Sequence, residues 1–294
     1  MSIHYLSYKD IDLDKYNACI SNALNSRIYA FSWYLDRVTD RWSVLVLNDY
    51  EAVMPLPERK KMRVNYIYQA PWVQQLGVFS RSDLHEKQLI QFIDAIPKKF
   101  KLVDILFHSK NNFKSVHLSQ RDNYLLDLNR SYQNIYKGFS KGRKSSVKLA
   151  QKNNLDIKIN FDYGAVIRLF LENKGLSIQR LTDDYLKLAE LMETLIQLRQ
   201  ALVYQVFDQD GMLIGGAFIL IEPHRLTYIF SAINEAGRKK QAMSYLLAHI
   251  FEESSNKKLI FDFEGSMIPE IGHFFKSFGA SKETYYHFKQ RRFF

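Results

Sequence analysis

The stretch that decides the fold runs from Leu259 to Ala280 and reads LIFDFEGSMIPEIGHFFKSFGA. Its first five residues are a short apolar run, which predicts a buried strand. Residues 268–278 repeat apolar side chains at helical spacing, and Gly279 follows them, where glycine is common just after a helix ends. A buried strand followed closely by such a helix is typical of a unit in which helices pack on a sheet.

The segments before and after this stretch extend the same pattern. The loop Asp208–Gly211 contains Asp-Gly and predicts a hairpin between two apolar runs. Residues 238–253 predict one long amphipathic helix, because their apolar side chains recur on one face. The C-terminal part therefore reads as hairpin, strand, helix, strand, helix and strand. The predicted strands cover 202–207, 212–221, 226–232, 259–263 and 284–288.

The rest of the chain alternates strands and helices up to residue 128, and a strongly basic helical segment then covers 131–152. A length of 294 residues favours two domains. We therefore predict an α/β (α+β) fold with mixed central sheets flanked by helices. The expected domains are 1–128 and 129–294, with the basic helix 131–152 at the junction.

Composition and charge restrict the class of protein. The formal charge of +10 favours anionic partners, and the lone cysteine, Cys19, rules out an intrachain disulfide. The N-terminus lacks the pattern of a signal peptide, and no apolar run approaches the ~18 residues that span a bilayer, so a cytoplasmic protein is expected. Histidine and acidic residues show no metal-ligand spacing, and no metal is expected. The nucleotide-binding and hydrolase motifs built on glycine are missing, which disfavours an ATPase, a dinucleotide enzyme and an α/β-hydrolase.

A loop with the sequence Asn-Glu-Ala-Gly-Arg-Lys, residues 234–239, precedes the predicted long helix. Backbone N–H groups at the start of a helix attract anions. Gly237 would let a phosphate approach, and Arg238 and Lys239 would add positive charge. The alternative interpretation is an ordinary solvated turn.

Two stretches in this order resemble the FemAB/FemX-type peptidoglycan-bridge transferases and their relatives with the GNAT acetyltransferase fold. The first is Leu126-Asp127-Leu128 followed by the basic helix, and the second is Leu259–Ala280, with its Asp-Phe-x-Gly and Phe-Lys-x-Phe-Gly pieces. The similarity spans about residues 124–288, and residues 66–77 resemble the N-terminal half of these proteins. It implies two tandem GNAT-like domains that transfer an acyl or aminoacyl group to an amine.

The same resemblance implies an activated donor, either acyl-CoA or aminoacyl-tRNA. GNAT enzymes carry a glycine-containing pyrophosphate loop, and the corresponding residues 238–243 read Arg-Lys-Lys-Gln-Ala-Met without it. This departure counts against acetyl-CoA. The basic helix would favour tRNA, since lysine and arginine neutralise phosphates.

The resemblance and the residue chemistry together predict the site. Lys276, the motif lysine, would stabilise the oxyanion of acyl transfer or a donor phosphate, and Glu264 or Asp262 would accept the proton of the amine. Asp262 and Glu264 are expected on one face of a strand end. The structural alternatives are an exposed helix lysine and two carboxylates that bind a backbone turn.

The other predicted contacts are with donor and acceptor. The expected donor-binding residues are Gly237, Arg238, Lys239, Tyr245 and Phe275. The expected substrate-binding residues are Arg143, Lys144, Lys148, Gln69 and Tyr228. For the basic residues the alternative is a solvated cationic face, and for the aromatic residues it is the core.

The predicted function is an N-acyltransferase acting on an amine-bearing substrate, with tRNA as a possible partner. The alternative is a non-catalytic GNAT-like scaffold that binds an anionic partner, which the altered pyrophosphate loop motivates. A DNA-binding protein has only the net charge in its favour.

Overall fold

The computed structural model describes residues 2–114, 118–174 and 182–292. The chain divides into two compact units: Met1–Arg121 together with Thr284–Phe294, and Asp122–Glu283. Within the described ranges, no helix has both the length and the apolarity that crossing a membrane requires.

The first unit begins with a short strand and two helices, continues with strands in sequence, and ends with a helix and a strand. Its elements are β1 (Ile3–Leu6), α1 (Leu13–Asn22), α2 (Ser32–Val38), β2 (Arg41–Leu47), β3 (Ala52–Lys61), β4 (Val64–Ile67), β5 (Phe79–Ser80), α3 (Glu86–Asp94) and β6 (Phe100–Phe107), with 3₁₀ helices at Tyr8–Asp10 and Ile28–Ala30.

The second part of the chain adds seven helices and seven strands to the described structure. They are β7 (Ser119–Asp127), α4 (Tyr132–Lys137), α5 (Lys141–Lys152), β8 (Asp156–Asn160), α6 (Tyr163–Lys174), α7 (Thr182–Gln197), β9 (Ala201–Phe207), β10 (Leu213–Glu222), β11 (Arg225–Ile233), α8 (Glu235–Lys239), α9 (Ala242–Glu253), β12 (Ile260–Asp262), α10 (Pro269–Lys276) and β13 (Ser281–Arg291).

Each unit contains a mixed sheet with one parallel pair. In the first unit the order is β1-β2-β3-β4-β6-β13, and β4 and β6 are the parallel neighbours. In the second unit the order is β7-β12-β11-β10-β9-β8, and β11 and β12 are parallel. A parallel pair needs a crossover connection, and α3 supplies it in the first unit while α8 and α9 supply it in the second.

The two units repeat the same order of elements. A strand and two helices precede three antiparallel strands, and a helical crossover then leads to the parallel strand. The series β1, α1, α2, β2, β3, β4, α3, β6 thus matches β8, α6, α7, β9, β10, β11, α9, β12. The tandem arrangement expected from the sequence is present as a repeat of topology.

The last strand of each sheet comes from a distant part of the chain. β7 follows the first unit in sequence, but its residues Leu125–Asp127 pair with β12. β13 follows the second unit, but its residues Tyr286–Arg291 pair with β6. The unit boundaries therefore lie at 121 and 283, whereas the sequence analysis placed a single boundary at 128. A single boundary cannot describe this arrangement, because β7 pairs with a strand of the second unit and β13 pairs with a strand of the first.

Two predicted helices are interrupted. The long helix expected at 238–253 is divided into α8 and α9, because Gln241 adopts a left-handed backbone conformation with φ of 60°. The basic segment 131–152 forms α4 and α5, and Ser140 caps α5 by accepting the backbone N–H of Arg143. The predicted hairpin at Asp208–Gly211 is confirmed, with Gly211 at φ of 73°.

Separate apolar cores support the two sheets. In the first unit, Leu89 and Phe92 of α3 are buried against strand residues such as Leu56, Phe100 and Phe107. In the second unit, α9 is buried along most of its length, and Phe251 contacts the rings of Phe261 and Phe263. The strand of the Leu259–Ala280 stretch thus lies at the centre of an aromatic core, as its apolar run predicts.

Candidate functional site

The two parallel strands of the second unit separate soon after they begin to pair. They pair only at Arg225–Ile260, Leu226–Phe261 and Thr227–Asp262. β12 then ends, while β11 continues to Ile233. The carboxyl ends of parallel strands are a usual place for ligands in α/β sheets, so this separation marks a candidate site.

A cleft of about 430 Å³ occupies this part of the second unit. β11 supplies one side of it, α10 supplies an aromatic wall, and the region around the start of α9 supplies the remainder. A register shift between β10 and β11 at Phe218/Ile219 lies next to Tyr228, and such a bulge re-aims neighbouring side chains. The lining residues are Tyr228, Ser231, Ile233, Arg238, Gln241, Met243, Ser244, Glu270, Ile271, Phe274 and Phe275.

The first turn of α9 contributes Met243 and Ser244 to the lining. Gln241 precedes this helix and makes no side-chain cap. The first N–H groups of a helix have no partner within the helix and lie at the positive end of its dipole. The helix start at the cleft is therefore Ala242, four residues later than the start that the sequence analysis placed at Arg238.

The three residues predicted to bind the donor at the loop have different surroundings. Arg238 lines the cleft, and its Nη1 donates to the carbonyl of Ile233 at 3.1 Å. Lys239 is exposed and pairs with Glu235 at 2.7 Å. Gly237 is buried, and a Cβ built on it would lie 2.1 Å from the carbonyl oxygen of Ile214. Close packing of α8 on β10 therefore accounts for this glycine.

Arg143 reaches the wall of the cleft from α5. Its Nε donates to Ser277 Oγ at 2.9 Å, and its Nη1 donates to Ser244 Oγ. Its Cζ lies 4.3 Å from the ring centroid of Phe274 and 4.6 Å from that of Phe278. In the part of the chain that the structure describes, Arg143 forms no ion pair with a carboxylate. Burial lowers the pKa of Arg143 to about 10.

Other predicted binding residues do not line the cleft. Lys144 donates from Nζ to the carbonyl of Lys137 at 2.9 Å, at the end of α4, and Lys148 is exposed on α5. Tyr245 is half-buried on α9 and packs against the core. Gln69 belongs to the first unit, where its side chain donates to the carbonyl of Val73 and closes a loop.

The two carboxylates predicted to accept a proton have separate environments. Asp262 is buried and forms an ion pair with Arg225, and its Oδ1 also accepts the backbone N–H of Glu264 at 2.9 Å. Glu264 lies two residues after the end of β12, and its φ of 58° is a left-handed conformation that differs from that of a strand. The expectation that both share one face of a strand end is wrong for this reason. Neither residue lines the cleft.

Aromatic residues of the cleft include two of the predicted set. The rings of Tyr228 and Phe275 meet edge to face with centroids 6.4 Å apart. Burial raises the pKa of Tyr228 well above its usual value, although a hydrogen bond with the Ser231 side chain opposes the rise. Tyr228 therefore stays protonated at neutral pH and can donate a hydrogen bond.

Lys276 lies in the last turn of α10, where a cation interacts favourably with the helix dipole. Its side chain is exposed, and its Nζ lies 5.5 Å from the ring centroid of Tyr124. It is outside the lining of the cleft.

The sequence analysis missed Glu270, an exposed carboxylate in the first turn of α10 that lines the cleft. Residues four apart lie on one face of a helix. Glu270 precedes Phe274 by four residues, and Ile271 precedes Phe275 by four. This spacing was available in the sequence and would have placed Glu270 beside the motif phenylalanines. Among the described residues, no group of three or more His, Cys, Asp or Glu could hold a metal ion.

Comparison with known proteins gives information on the fold. No protein-family model matches the sequence, and no curated protein does. FemX superposes with a TM-score of 0.66 at 12% identity, over 97% of each chain. A conserved protein of unknown function from Bacteroides thetaiotaomicron superposes with a TM-score of 0.59 at 10% identity, over 96% of this chain and 99% of that chain. L-PGS from Bacillus licheniformis gives 0.56 at 12% identity, over 96% and 92%.

These likenesses extend over nearly the whole chain and include both units. At such low identity they define the fold and leave the chemistry to the residues of the site. The chain therefore has the FemX-like fold, in agreement with the resemblance found in its sequence.

Proposed function

We propose that the protein is an acyltransferase that moves an acyl or aminoacyl group from an activated donor to an amine. The observation that carries the proposal is the separation of β11 from β12, which opens a cleft at the start of α9. One part of this cleft is apolar and aromatic, as an acyl chain or the stem of a donor requires. Its other part combines a helix start with Arg238, and Arg143 contacts its wall.

The cleft residues suggest roles in the transfer. The amine nitrogen attacks the acyl carbon, the new C–N bond forms, and the bond between the acyl carbon and the leaving sulfur or oxygen breaks. Glu270 accepts the proton of the amine, since it is the one carboxylate among the described residues of the cleft lining. Tyr228 donates a hydrogen bond to the leaving atom, which departs as an anion and takes a proton from solvent.

This assignment replaces Asp262, because a buried ion pair with Arg225 already occupies that carboxylate. Glu264 remains a second candidate for the base. Lys276 remains a proposal for electrostatic stabilisation of the oxyanion or of a donor phosphate, although it lies outside the cleft lining.

The donor is acyl-CoA or aminoacyl-tRNA. Arg143 and Arg238 would meet its phosphates, with the first turn of α9 beside them. Lys144 and Lys148 on α5 would extend the contact along the longer backbone of a tRNA. Binding of tRNA should weaken steeply as salt increases, because each neutralised phosphate releases counterions.

The direct test is formation of an amide. Purified protein is incubated with acyl-CoAs or charged tRNAs and an amine acceptor, and the product is identified by mass spectrometry. Glu270→Gln and Lys276→Ala should each lower turnover by about a hundredfold or more, as is typical for proton transfer and oxyanion groups. Glu190→Gln on α7, an exposed carboxylate that is not part of the cleft lining, is the matched control.

The second candidate is a non-catalytic scaffold that binds an anion. The lack of a glycine pyrophosphate loop at residues 238–243 favours it. Tight binding of CoA or tRNA without any amide product would support the scaffold. Product formation that Glu270→Gln abolishes would exclude it.

A further inference from the structure

The first unit contains a second cleft, of about 510 Å³, beside the end of β1. β1 pairs with β2 only as far as Leu6–Val44. Among the described residues, no strand pairs with Arg41–Ser43 of β2 on that edge. The lining combines aromatic rings, hydroxyls and charges of both signs. It consists of Tyr5, Ser7, Tyr8, Lys9, Asp36, Thr39, Asp40, Arg41, Trp42, Ser43, Glu58 and Lys99.

Glu58 is the deepest charged group of this cleft, with 9% of its surface exposed. Its Oε1 accepts hydrogen bonds from the hydroxyls of Tyr5, at 3.0 Å, and Ser43. Its Oε2 accepts none from the residues that the structure describes. Glu58 lines the cleft and its Oε2 is not fully buried, so this oxygen can accept a hydrogen bond from a ligand in the cleft.

The lysine nearest to this carboxylate is used elsewhere. Lys99 donates from Nζ to the Tyr5 hydroxyl at 2.7 Å and lies 4.2 Å from the centroid of the same ring. It therefore holds Tyr5 against Glu58 without pairing with the carboxylate itself. Asp36 is likewise occupied, because it accepts from Trp42 Nε1 at 2.8 Å and from the Tyr8 hydroxyl at 3.2 Å.

The surroundings of Glu58 favour a cation. The rings of Tyr8 and Trp42 meet edge to face at 5.4 Å and both line the cleft, and aromatic faces attract an ammonium group. The exposed rim carries charges of both signs, with Asp36 and Asp40 beside Lys9 and Arg41. Asp40 already pairs with Arg59, so Lys9 and Arg41 can pair with an acidic group of a ligand. An amine that also carries an acidic group satisfies both regions.

We propose that this cleft binds a zwitterionic amino compound, such as an amino acid or a short peptide, with its ammonium group on Glu58. The acidic group of the ligand pairs with Lys9 and Arg41 at the rim of the cleft. The site belongs to the first unit and is independent of the transferase cleft, so either assignment can fail without the other.

Calorimetry with dialanine tests the proposal on the intact protein. The free dipeptide should bind with a dissociation constant of about 1 mM or below. Its N-acetylated form, which lacks the ammonium group, should bind at least tenfold more weakly, and its C-terminal amide several-fold more weakly. Absence of binding by dialanine, or equal binding by the acetylated form, would overturn the proposal.

A pair of variants localises the binding. Glu58→Gln should weaken dialanine binding at least tenfold, whereas Glu51→Gln, which removes an exposed carboxylate of the same unit, should leave it unchanged. Unchanged binding by a folded Glu58→Gln protein would refute the role of this cleft. The comparison of the free and acetylated peptides on the unmodified protein decides the question even if Glu58→Gln does not fold.

Discussion

The guanidinium group of Arg143 stacks on the ring of Phe274, with Cζ 4.3 Å from the ring centroid. The same group donates hydrogen bonds to two serine hydroxyls, on Ser244 and Ser277. A half-buried guanidinium that is held by neutral groups, beside a cleft, is poised for an anion. Through Ser277 and Phe278, Arg143 connects the basic helix of the sequence with the Phe-Lys-x-Phe-Gly motif.

Replacing Arg143 by Met should separate binding from stability. Because burial lowers its pKa to about 10, the protonated guanidinium disfavours folding, and this cost is present in full below about pH 10 and is lost only as pH rises from there to the usual pKa of arginine. In Arg143→Met, removal of the buried charge should offset the loss of the two hydrogen bonds. The free energy of unfolding should therefore change by less than about 1 kcal/mol. Donor affinity should fall at least tenfold, since charged hydrogen bonds contribute about 1.5–3 kcal/mol.

Urea unfolding and a donor titration check these two effects. Lys60→Met, a change of the same kind at an exposed position of β3 in the first unit, serves as the control for charge. If Arg143→Met bound the donor normally, the guanidinium would have only a structural role.

Tyr228 should act as a hydrogen-bond donor to the leaving atom. Tyr228→Phe should lower turnover about tenfold to a hundredfold across neutral pH, because the hydroxyl remains protonated there. The raised pKa also predicts a stability effect: the unfolded chain ionises near pH 10 while the folded state stays neutral, so folding weakens above about pH 10. Tyr228→Phe has no hydroxyl to ionise at this position. Its free energy of unfolding, relative to that of the parent, should therefore rise between about pH 10 and 12.

Rate measurements from about pH 6 to 9 and unfolding curves at alkaline pH check the two parts. A rate loss confined to high pH would contradict the role as a hydrogen-bond donor.

Asp262 and Arg225 should behave as a structural pair. Removing one partner leaves a buried charge alone, which typically costs about 3–5 kcal/mol. Asp262→Asn and Arg225→Gln should therefore each destabilise the protein strongly, and the double variant should lose much less than the sum. Thermal unfolding of the three proteins checks the coupling. Additive losses, or a stable Asp262→Asn protein without turnover, would instead favour a catalytic carboxylate.

Two glycines provide a matched test of packing. Gly237→Ala should destabilise the protein by several kcal/mol, because the new Cβ would lie 2.1 Å from the Ile214 carbonyl oxygen. Gly142 lies on α5, and a Cβ added there would meet nothing within 4 Å, so Gly142→Ala should stabilise by about 0.5–1 kcal/mol. Chemical denaturation gives both values. If the Gly237→Ala protein were stable but bound the donor more weakly, Gly237 would instead be a phosphate contact.

The local patterns of the sequence predicted much of the second unit. The apolar run at 259–263, the helix before Gly279 and the Asp-Gly hairpin all depend on neighbours within a few residues, and all are present. Arg238, Phe275 and Tyr228 were predicted to bind donor or substrate, and all three line one cleft, while their binding roles stay predictions.

Long-range contacts explain what the sequence did not show. Asp262 has the chemistry of a proton acceptor, but its partner Arg225 lies 37 positions away in another strand. Gly237 has the freedom that a phosphate contact needs, but Ile214 of β10 packs against it. Glu270 has a usable helical spacing, but that spacing alone does not show which face of the helix borders a cleft.

The sequence by itself determined the class of fold, the basic helix and the motif that relates this chain to FemX-type proteins, because periodicity and motif spacing are local properties. The tertiary structure decided the exchange of β7 and β13, the break at Gln241, and which side chains share a cleft. Those features depend on hydrogen bonds and packing between residues that are distant in the chain, and such pairings leave no periodic signal in the sequence.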